Sequence, residues 1–443
     1  MPDIAAVSGS RMHIHQLTLT GFRGAKNLTL HLHPGLNVFV GRNGAGKSTL
    51  LDAGAILLSW LANRIKTAGA SGRQIAESDI TNGQSVAKLA LELSYRGEQT
   101  GWHLVKTRRG LQAVNKAGSS SLADLSKLAA AIQEEGIEEQ ALVRLPLFAY
   151  YPVNRAVLDI PLRNRERHDF NPLAAYESAL TGAANFRTFF EWFREREDLE
   201  NEIRRDLDRD SLGFFATEQT ASFPDPQLQA VREALSKLMP EFKHLTVRRS
   251  PLRMEVEKNG STLTINQLSD GEKCLMAMVG DMARRMAVAN PHSSTPLTGD
   301  GIILIDEIDL HLHPAWQKMI VPKLTAVFPN CQFLISSHSP HVITQVRPES
   351  LFLLTMQDNE LNYELAAESY GKTAERVLED LMGLTTTRPE AVAQTLTEIY
   401  QDIDHGEYAR AMQNIDNLGK EIGNDPDLFK AKMLIKRKEL IGR

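Results

Sequence analysis

The chain has 443 residues, of which 42% are hydrophobic, and a formal net charge of −5. It is long enough for a large core divided into two or three structural units, and it has no run of about 18 apolar residues that could span a membrane. Two cysteines exclude a disulfide scaffold and indicate a reducing cytoplasm, while the slightly acidic balance excludes a strongly basic nucleic-acid binder, so any DNA contact must come from a local patch.

The first predicted elements precede a glycine-rich motif. Residues 1–11 have neither the apolar centre nor the cleavage site of a signal peptide, and we predict a disordered tail. Between Met12 and Leu32, leucines alternate with polar residues, which predicts two half-buried strands around the turn Gly21-Phe22-Arg23-Gly24. The stretch 35–40 is then typical of a buried strand.

The motif itself, Gly41-Arg42-Asn43-Gly44-Ala45-Gly46-Lys47-Ser48, matches the Walker A pattern G-x-x-x-x-G-K-[ST]. A buried strand before it and a helix from Thr49 to Lys66 after it give the strand–loop–helix context of that motif. The glycines let backbone N–H groups surround a phosphate, and the helix N-terminus adds partial positive charge. Lys47 would reach the β- and γ-phosphates of ATP, and Ser48 would ligate Mg²⁺. The motif therefore predicts a nucleoside triphosphate site.

Arg23 lies in the turn beside the strand that leads into this loop. It could contact the nucleotide, or it could be an ordinary solvated turn residue. The sequence leaves both interpretations open.

The segment after the Walker A helix differs from a simple Ras-like or RecA-like core. A loop at 66–83 is followed by a predicted hairpin, a polar helix and a further strand, and a helical insertion then occupies 161–240. The bounds of these predicted elements are Val86–Tyr95 and Trp102–Thr107 for the hairpin, Ala113–Glu139 for the helix and Ala141–Tyr151 for the strand.

Within the insertion, a basic linker at 161–167 precedes a helix predicted at Phe186–Asp206. Its phenylalanines Phe186, Phe189, Phe190 and Phe193 form an aromatic stripe, which is typical of a core or of a helix–helix interface. The insertion has room for a helical hairpin at most, because a helix rises about 1.5 Å per residue.

Two further acidic and polar motifs follow the insertion. Strands are predicted within His244–Leu268, with Asn259-Gly260 as a hairpin turn, and then come Leu268-Ser269-Asp270-Gly271-Glu272-Lys273 and an apolar helix to Ala289. Ile302–Ile305 and the acids after it match a Walker B strand, in which Asp306 would hold Mg²⁺ and Glu307 would polarise the attacking water.

A buried strand at 331–335 ends in Ser336-Ser337-His338-Ser339-Pro340. His338 would therefore lie at the carboxyl end of a strand beside Walker B, where it could meet a γ-phosphate. Together with His311, His313 and His341 it could also suggest a metal site, but no cysteine spacing or additional carboxylate completes a Zn²⁺ ligand set. We do not favour the metal interpretation.

In this order, the motifs resemble the ABC-type ATPase heads of the SMC and RecF-like class, over residues 12 to about 365. The resemblance implies an α/β fold: an ABC/SMC-like P-loop ATPase head with an antiparallel β subdomain, a helical insertion and a C-terminal helical unit. It also implies that the signature motif supplies Ser269, Asp270, Gly271 and Glu272 to the nucleotide. Asp309 would be the D-loop acid, and His338 would be the switch histidine.

Within that class the chain resembles the stand-alone antiphage ATPases of the Septu type (PtuA-like), which also occur beside some retrons. The most similar pieces are Tyr150–Ala156, Phe189–Glu202 and Asp309–Gln317. That family works with a separately encoded HNH nuclease. No clear Q-loop glutamine follows the strand that ends at Tyr151, and Asn154 is the best substitute.

Residues 372–443 predict four helices, at Lys372–Met382, Glu390–Ile403, Glu407–Ile422 and Asp427–Leu440. Asp402 and Asp404 could suggest a Toprim nuclease, but a stretch of helices leaves no room for that α/β fold. We therefore expect an oligomerisation or partner-docking surface here or on the Phe186–Phe193 helix, and no nuclease in this chain.

The predicted domains are the tail 1–11, an N-lobe 12–160, the insertion 161–240, a C-lobe 241–371 and the helical unit 372–443. The predicted function is that of a cytoplasmic, ATP-hydrolysing subunit of an antiphage system. We expect two copies to dimerise around nucleotide and to control an HNH nuclease, and we expect no membrane partner. DNA, or a retron reverse transcriptase with its msDNA, is a further partner that the resemblance allows. The alternatives are a RecF/SMC-like DNA-repair ATPase without a nuclease, and a scaffold that binds ATP structurally.

Overall fold

The computed structural model describes residues 11–109, 119–138, 144–153, 171–181, 186–210, 223–358 and 360–441. The chain divides into two compact units, Met1–Lys372 and Thr373–Arg443. Several predicted features lie outside the described residues: most of the tail, the basic linker at 161–167 and Asn154. The finer division of the first unit into lobes stays a prediction.

The first unit contains both strands and helices, in runs of one to three strands between helices. In chain order the described strands are β1 His13–Phe22, β2 Ala25–His31, β3 Leu36–Val40, β4 Val86–Tyr95, β5 Glu98–Thr107, β6 Leu147–Tyr151, β7 Phe242–Arg249, β8 Leu252–Lys258, β9 Ser261–Thr264, β10 Gly301–Ile305, β11 Cys331–Ser336, β12 Leu351–Gln357 and β13 Glu360–Leu365. The described helices of this unit are α1 Lys47–Lys66, α2 Ala123–Glu138, α3 Phe186–Asp210, α4 Pro226–Leu238, α5 Asp270–Ala289, α6 Pro314–Val327 and α7 Pro340–Ile343.

A six-stranded sheet carries the Walker motifs. Its order is β13-β12-β3-β11-β10-β6, and all neighbours run parallel except the edge strand β13. Every residue of β6, β10 and β11 is buried, as expected for parallel strands covered on both faces. Because β3, β10 and β11 are parallel, the loops that follow them meet at one edge of the sheet.

Two further sheets are antiparallel. One has the order β2-β1-β4-β5, which confirms the predicted antiparallel subdomain. The other has the order β7-β8-β9. The predicted turn between β8 and β9 is confirmed, because Asn259 and Gly260 have φ angles of 50° and 77° and join the paired residues Lys258 and Ser261.

In the described residues the helical insertion contains α3 and α4, and α3 packs against α5. Phe189, Phe190 and Phe193 are at most 1% exposed, and a Cβ on Gly280 of α5 would lie 2.7 Å from the Phe189 ring. The prediction that the aromatic stripe forms core is confirmed for these three residues, whereas the side chain of Phe186 lies outside the described part of the structure. The expectation that the Phe186–Phe193 helix offers a partner surface stays a prediction, and these three buried rings are not exposed for it.

Other element boundaries also differ from the predictions. The polar helix begins at Ala123 rather than Ala113, and residues 144–146 precede β6 without joining it. Helix α4 and strands β12 and β13 were not anticipated, because short segments of this kind carry weak periodicity. Among the described helices, none is both long and apolar enough to cross a membrane.

The second unit is helical, as predicted. Its helices are α8 Ala374–Asp380, α9 Glu390–Asp404, α10 Tyr408–Ile422 and α11 Pro426–Ile441. Helices α9, α10 and α11 share one apolar core, formed by Val392, Leu396, Ile399, Ile403, Ala411, Ile415, Leu418, Leu428, Ala431 and Ile435. Two of the basic residues near its end are ion-paired, Lys432 with Asp416 at 2.9 Å and Lys438 with Asp404 at 2.8 Å.

Candidate nucleotide-binding site

The Walker A loop connects β3 to α1 and needs its glycines for two different reasons. Gly44 and Gly46 have φ angles of 81° and 87°, which other residues rarely adopt. Gly41 instead needs close approach, because a Cβ there would lie 2.5 Å from the Leu354 carbonyl oxygen. The loop therefore lies directly on the neighbouring strand β12.

Helix α1 begins with free N–H groups at the end of this loop. Its N-cap is Gly46, which has no side chain to accept a hydrogen bond from the first turn, and that turn contains no acidic residue. A helix start of this kind attracts phosphate through its N–H groups and its dipole. Ser48 is exposed and Thr49 is half-buried beside this helix start, and Arg42 and Asn43 are exposed in the loop.

Lys47 is held over the same loop. It is only 6% exposed, and its Nζ donates to the carbonyl oxygens of Gly41 at 2.9 Å and Arg42 at 3.1 Å. Burial lowers the pKa of Lys47, while the charges of Glu307, Asp306 and Asp309 act in the opposite direction. A buried ammonium group beside the first turn of α1, which no side chain caps, fits a triphosphate, so the residues present match the predicted ligand.

The Walker B acids follow β10 at the same sheet edge. Asp306 is 2% exposed, and its carboxylate accepts a hydrogen bond from the Ser336 hydroxyl at the end of β11. Ser336 Oγ in turn accepts a hydrogen bond from the Glu307 N–H at 2.7 Å. The sequence did not point to Ser336, although it begins the polar segment that contains His338.

Glu307 stands on strained backbone immediately after the strand. Its φ angle is 46°, which is uncommon for a residue other than glycine. Such outliers cluster at functional sites, because the surrounding structure has to hold them there. The geometry directs attention to Glu307 independently of the motif.

Asp309 links the Walker B loop to the predicted switch segment. Its Oδ1 accepts hydrogen bonds from Ser337 Oγ at 2.6 Å and from the His338 N–H at 3.3 Å. Burial and the charge of Lys47 lower the pKa of His338, while Asp309 and the two Walker B acids raise it. Lys47, the acids and His338 therefore interact electrostatically within one chain.

The predicted signature motif lies at the start of α5. Ser269 is the exposed N-cap of this helix: its Oγ accepts from the Glu272 N–H at 3.4 Å, and the Glu272 carboxylate accepts from the Ser269 N–H at 2.8 Å. Asp270 is exposed, whereas Gly271 is buried. A Cβ on Gly271 would lie 2.1 Å from the His311 carbonyl oxygen, so only glycine fits where the signature meets the loop after Walker B.

Arg23 has partners that the sequence did not reveal. It bonds to Asp52 of α1 and to Asp79, both at 2.7 Å, and Asp52 also pairs with Arg73 at 2.6 Å. Arg23 is therefore not an ordinary solvated turn residue, and its contact with nucleotide stays a prediction. The feature of the sequence that could have revealed this network is Asp52, an acidic residue within the apolar helix α1.

The structure describes some of the remaining predicted site residues, namely the histidines, but not Asn154. His313 caps α6, because its Nδ1 accepts a hydrogen bond from the Ala315 N–H at 3.2 Å. His311 is exposed with a φ angle of 61°. Within the described ranges, no group of three or more histidine, cysteine, aspartate or glutamate residues is arranged to hold a metal ion. The Q-loop assignment of Asn154 stays a prediction.

Comparison with known proteins gives consistent matches across this region. A family model described as "AAA domain" matches residues 16–243, and one described as "AAA ATPase domain" matches residues 195–343. The chain is similar to the retron Ec83 probable ATPase of Escherichia coli, with 31% identity over 90% of this chain and 81% of the relative.

Two more distant matches are a Septu protein and a solved head domain. The Septu protein PtuA of Bacillus thuringiensis is 23% identical over 88% of this chain and 89% of the relative. The Smc head domain from Pyrococcus furiosus, solved bound to the C-terminal domain of ScpA, is 16% identical over 83% of this chain and 99% of that chain, with a TM-score of 0.46. A structural likeness this distant carries no argument about function.

Proposed function

Because the chain belongs to the retron- and Septu-type family of AAA-domain ATPases, we propose that it is the ATP-hydrolysing regulatory subunit of an antiphage defence system. The observation that carries this proposal is the convergence of Lys47, the Walker B acids and His338 at one edge of the parallel sheet. Its output is the control of a separately encoded HNH nuclease.

Each site residue has a separate role in the hydrolysis of ATP. Backbone N–H groups of the loop 41–48 and the Lys47 ammonium hold the β- and γ-phosphates. Glu307 accepts a proton from the attacking water, whose oxygen bonds to the γ-phosphorus as the bond to the β–γ bridging oxygen breaks and ADP leaves. His338 contacts the γ-phosphate. Mg²⁺, held by Ser48 and Asp306, would neutralise charge on the phosphate oxygens.

The complete site is proposed to need two copies of the chain. Ser269 and Asp270 are exposed, and the hydrogen bonds of Ser269 stay within its own helix start. In the resembled ATPase heads, the signature of one subunit covers the nucleotide bound by the other. We therefore propose an ATP-sandwich dimer as the minimum unit, whose closure depends on nucleotide because ATP binds the closed state better.

The nuclease is proposed to dock on the second unit. Phe429 and Met433 lie one turn apart on α11, and they are 62% and 45% exposed although both are large and apolar. Asp402 and Asp404, which could have suggested nuclease acids, are engaged in ion pairs with Arg410 and Lys438. These contacts support a binding rather than a catalytic role for this unit.

The alternative is a RecF- or SMC-like ATPase that acts on DNA without a nuclease. A basic groove would favour it. The arginines of β7 and β8 are instead paired, Arg248 and Arg253 with Glu255, and Arg249 with Asp198. Nothing in these two strands favours the alternative over the nuclease-controlling role.

The central experiment separates hydrolysis from cleavage. The purified full chain is given ATP with Mg²⁺ or Mn²⁺ and is offered plasmid, linear and single-stranded DNA and RNA. We expect ATP hydrolysis without cleavage, and cleavage only when the nuclease encoded beside it is added. Cleavage that follows this chain through a sizing column, and that is lost in a point mutant of its own acids, would overturn the proposal.

A second experiment tests whether the nuclease docks on α11. Phe429→Asp should abolish nuclease binding and phage protection while leaving ATP binding unchanged, as should deletion of 372–443. Leu365→Asp is the matched control, because Leu365 is a similarly exposed leucine of the first unit. Equal loss of protection in both point mutants would contradict docking on α11.

A further inference from the structure

A buried aspartate lies in the middle of the signature helix α5. Asp281 is 1% exposed, and its carboxylate accepts hydrogen bonds from Arg284 and Arg285 of the same helix, each at 2.7 Å. It also accepts a hydrogen bond from the Tyr151 hydroxyl at 3.0 Å. The last bond leaves the helix and joins α5 to the end of β6.

This cluster has no simple explanation in stability. Arg284 and Arg285 are 5% and 6% exposed, so three charged side chains have lost their water. Buried ion pairs of this kind are often no more stabilising than apolar residues of similar volume. Burial raises the pKa of Asp281, but Arg285 and Arg284 outweigh it and lower the value to about 2, so the carboxylate stays charged.

Tyr151 also contacts the Walker B segment, through its backbone. Its carbonyl oxygen accepts the hydrogen bond of the Asp306 N–H at 2.8 Å, directly beyond the paired residues Ile305 and Tyr151 of β10 and β6. One residue therefore bonds to the signature helix through its hydroxyl and to the first Walker B acid through its backbone. Burial raises the pKa of Tyr151 well above its usual range, so the hydroxyl keeps its proton as a donor.

Arg285 extends the same connection to a third segment. Its Nη1 donates to the carbonyl oxygens of Ala175 at 2.7 Å and Glu177 at 2.8 Å. Tyr150, beside Tyr151, donates its N–H to the Ala179 carbonyl oxygen at 2.7 Å. Helix α5, strand β6 and residues 171–181 are thus held together around Asp281.

From these contacts we propose that Asp281 and Tyr151 are positioning residues that couple the signature helix to the Walker B acids. The proposal rests on the sandwich dimer proposed above. Asp281 lies twelve residues after Ser269, about 18 Å along the helix axis. When a second copy's nucleotide engages the start of α5, the buried bonds to Tyr151 transmit the helix position to Asp306 and so to Glu307.

The test removes one hydroxyl group and compares two tyrosines. Tyr151→Phe deletes the donor to Asp281. Tyr95→Phe is the matched control, because Tyr95 is also buried and its hydroxyl donates to the Glu135 carboxylate at 2.8 Å, a bond between β4 and α2 that involves neither α5 nor Walker B. Both full-length proteins lose one tyrosine hydrogen bond and should lose comparable thermal stability.

The expected result is a difference in turnover only. Tyr151→Phe should lower kcat about fivefold to tenfold and leave the Kd for a non-hydrolysable ATP analogue unchanged, whereas Tyr95→Phe should leave both unchanged. If the two variants differ in Tm, kcat is compared at a temperature at which both are fully folded. Equal kcat values in the two variants would overturn the coupling.

A third variant separates this inference from the proposal on which it rests. In a Glu307→Gln background, ATP should still drive dimer formation when Tyr151→Phe is added, because the coupling acts after closure. Loss of that dimer only on adding Tyr151→Phe would show that Tyr151 builds the interface and would overturn the positioning role. Failure of the Glu307→Gln chain itself to dimerise would instead reject the sandwich.

Discussion

The phosphate-binding edge of the sheet and the signature segment 268–273 are built in opposite ways. At the edge, Lys47 and Asp306 are 6% and 2% exposed, and the polar side chains there are bonded to one another. In the signature segment, Ser269 and Asp270 are exposed, and Ser269 bonds only within its own helix start as far as the described contacts extend. The first region therefore resembles a complete binding site, whereas the second resembles one side of an interface that a partner would cover.

Buried polar groups need partners inside the protein, and this requirement explains the contrast. Ser336 bonds to Asp306 and to the Glu307 N–H, and Asp309 orders the segment around His338. The exposed signature residues Ser269 and Asp270 need no such network, since water can satisfy an exposed helix start. The contrast predicts that mutations at the edge impair chemistry, and that mutations in the signature impair assembly.

The largest effect is expected from Glu307→Gln at the edge. It should retain ATP binding and lower kcat by about 10²- to 10⁴-fold, because the amide cannot accept a proton from the attacking water. Lys47→Ala should instead weaken binding of a fluorescent ATP analogue, because it removes positive charge from the phosphates. Glu364→Gln, an exposed acid on β13, is the control. Near-wild-type turnover in Glu307→Gln would refute the assignment.

A smaller loss is expected from Ser269→Arg in the signature. Steady-state turnover should fall about 10²-fold because the second subunit can no longer close on the nucleotide, while a single subunit still binds ATP. Ser236→Arg, at an exposed serine of α4, should have no effect.

Mixing Ser269→Arg with Lys47→Ala chains sharpens this test. One of the two interfacial sites in a mixed dimer has both an intact Lys47 and an intact Ser269, so activity should return in part. Sizing with ATP and a hydrolysis assay provide the readout. A mixture no more active than either variant alone would count against two-chain sites.

The smallest effect concerns pH. Burial and Lys47 lower the pKa of His338 below its ordinary value of 6.5, so the ring is neutral at pH 7. If the neutral ring meets the γ-phosphate, kcat/KM should fall only as the pH drops below that lowered pKa, by about tenfold per pH unit. His338→Gln should remove this acid limb. An identical limb in the variant, or one centred above pH 6.5, would exclude His338 as its source.

Much of the fold was predictable because its signals are local. The Walker A loop, the buried run before Asp306 and the Asn259-Gly260 hairpin each depend on residues adjacent in the chain. Glycine at positive φ and a run of buried aliphatics act over a few residues, so the sequence alone reveals them. The class of fold and the nucleotide site follow from the same signals.

The contacts between distant side chains were decided by the tertiary structure. Tyr151 and Asp281 are 130 residues apart, and Arg23 and Asp79 are 56 apart. Similarly, Phe189 is buried where α3 packs against Gly280 of α5. No local pattern encodes such pairs, since each depends on where two elements meet after folding. The sequence alone predicted which residues bind and hydrolyse a nucleotide. The tertiary structure decided which other residues hold them in place, because burial leaves a polar group no partner except the one that packing brings to it.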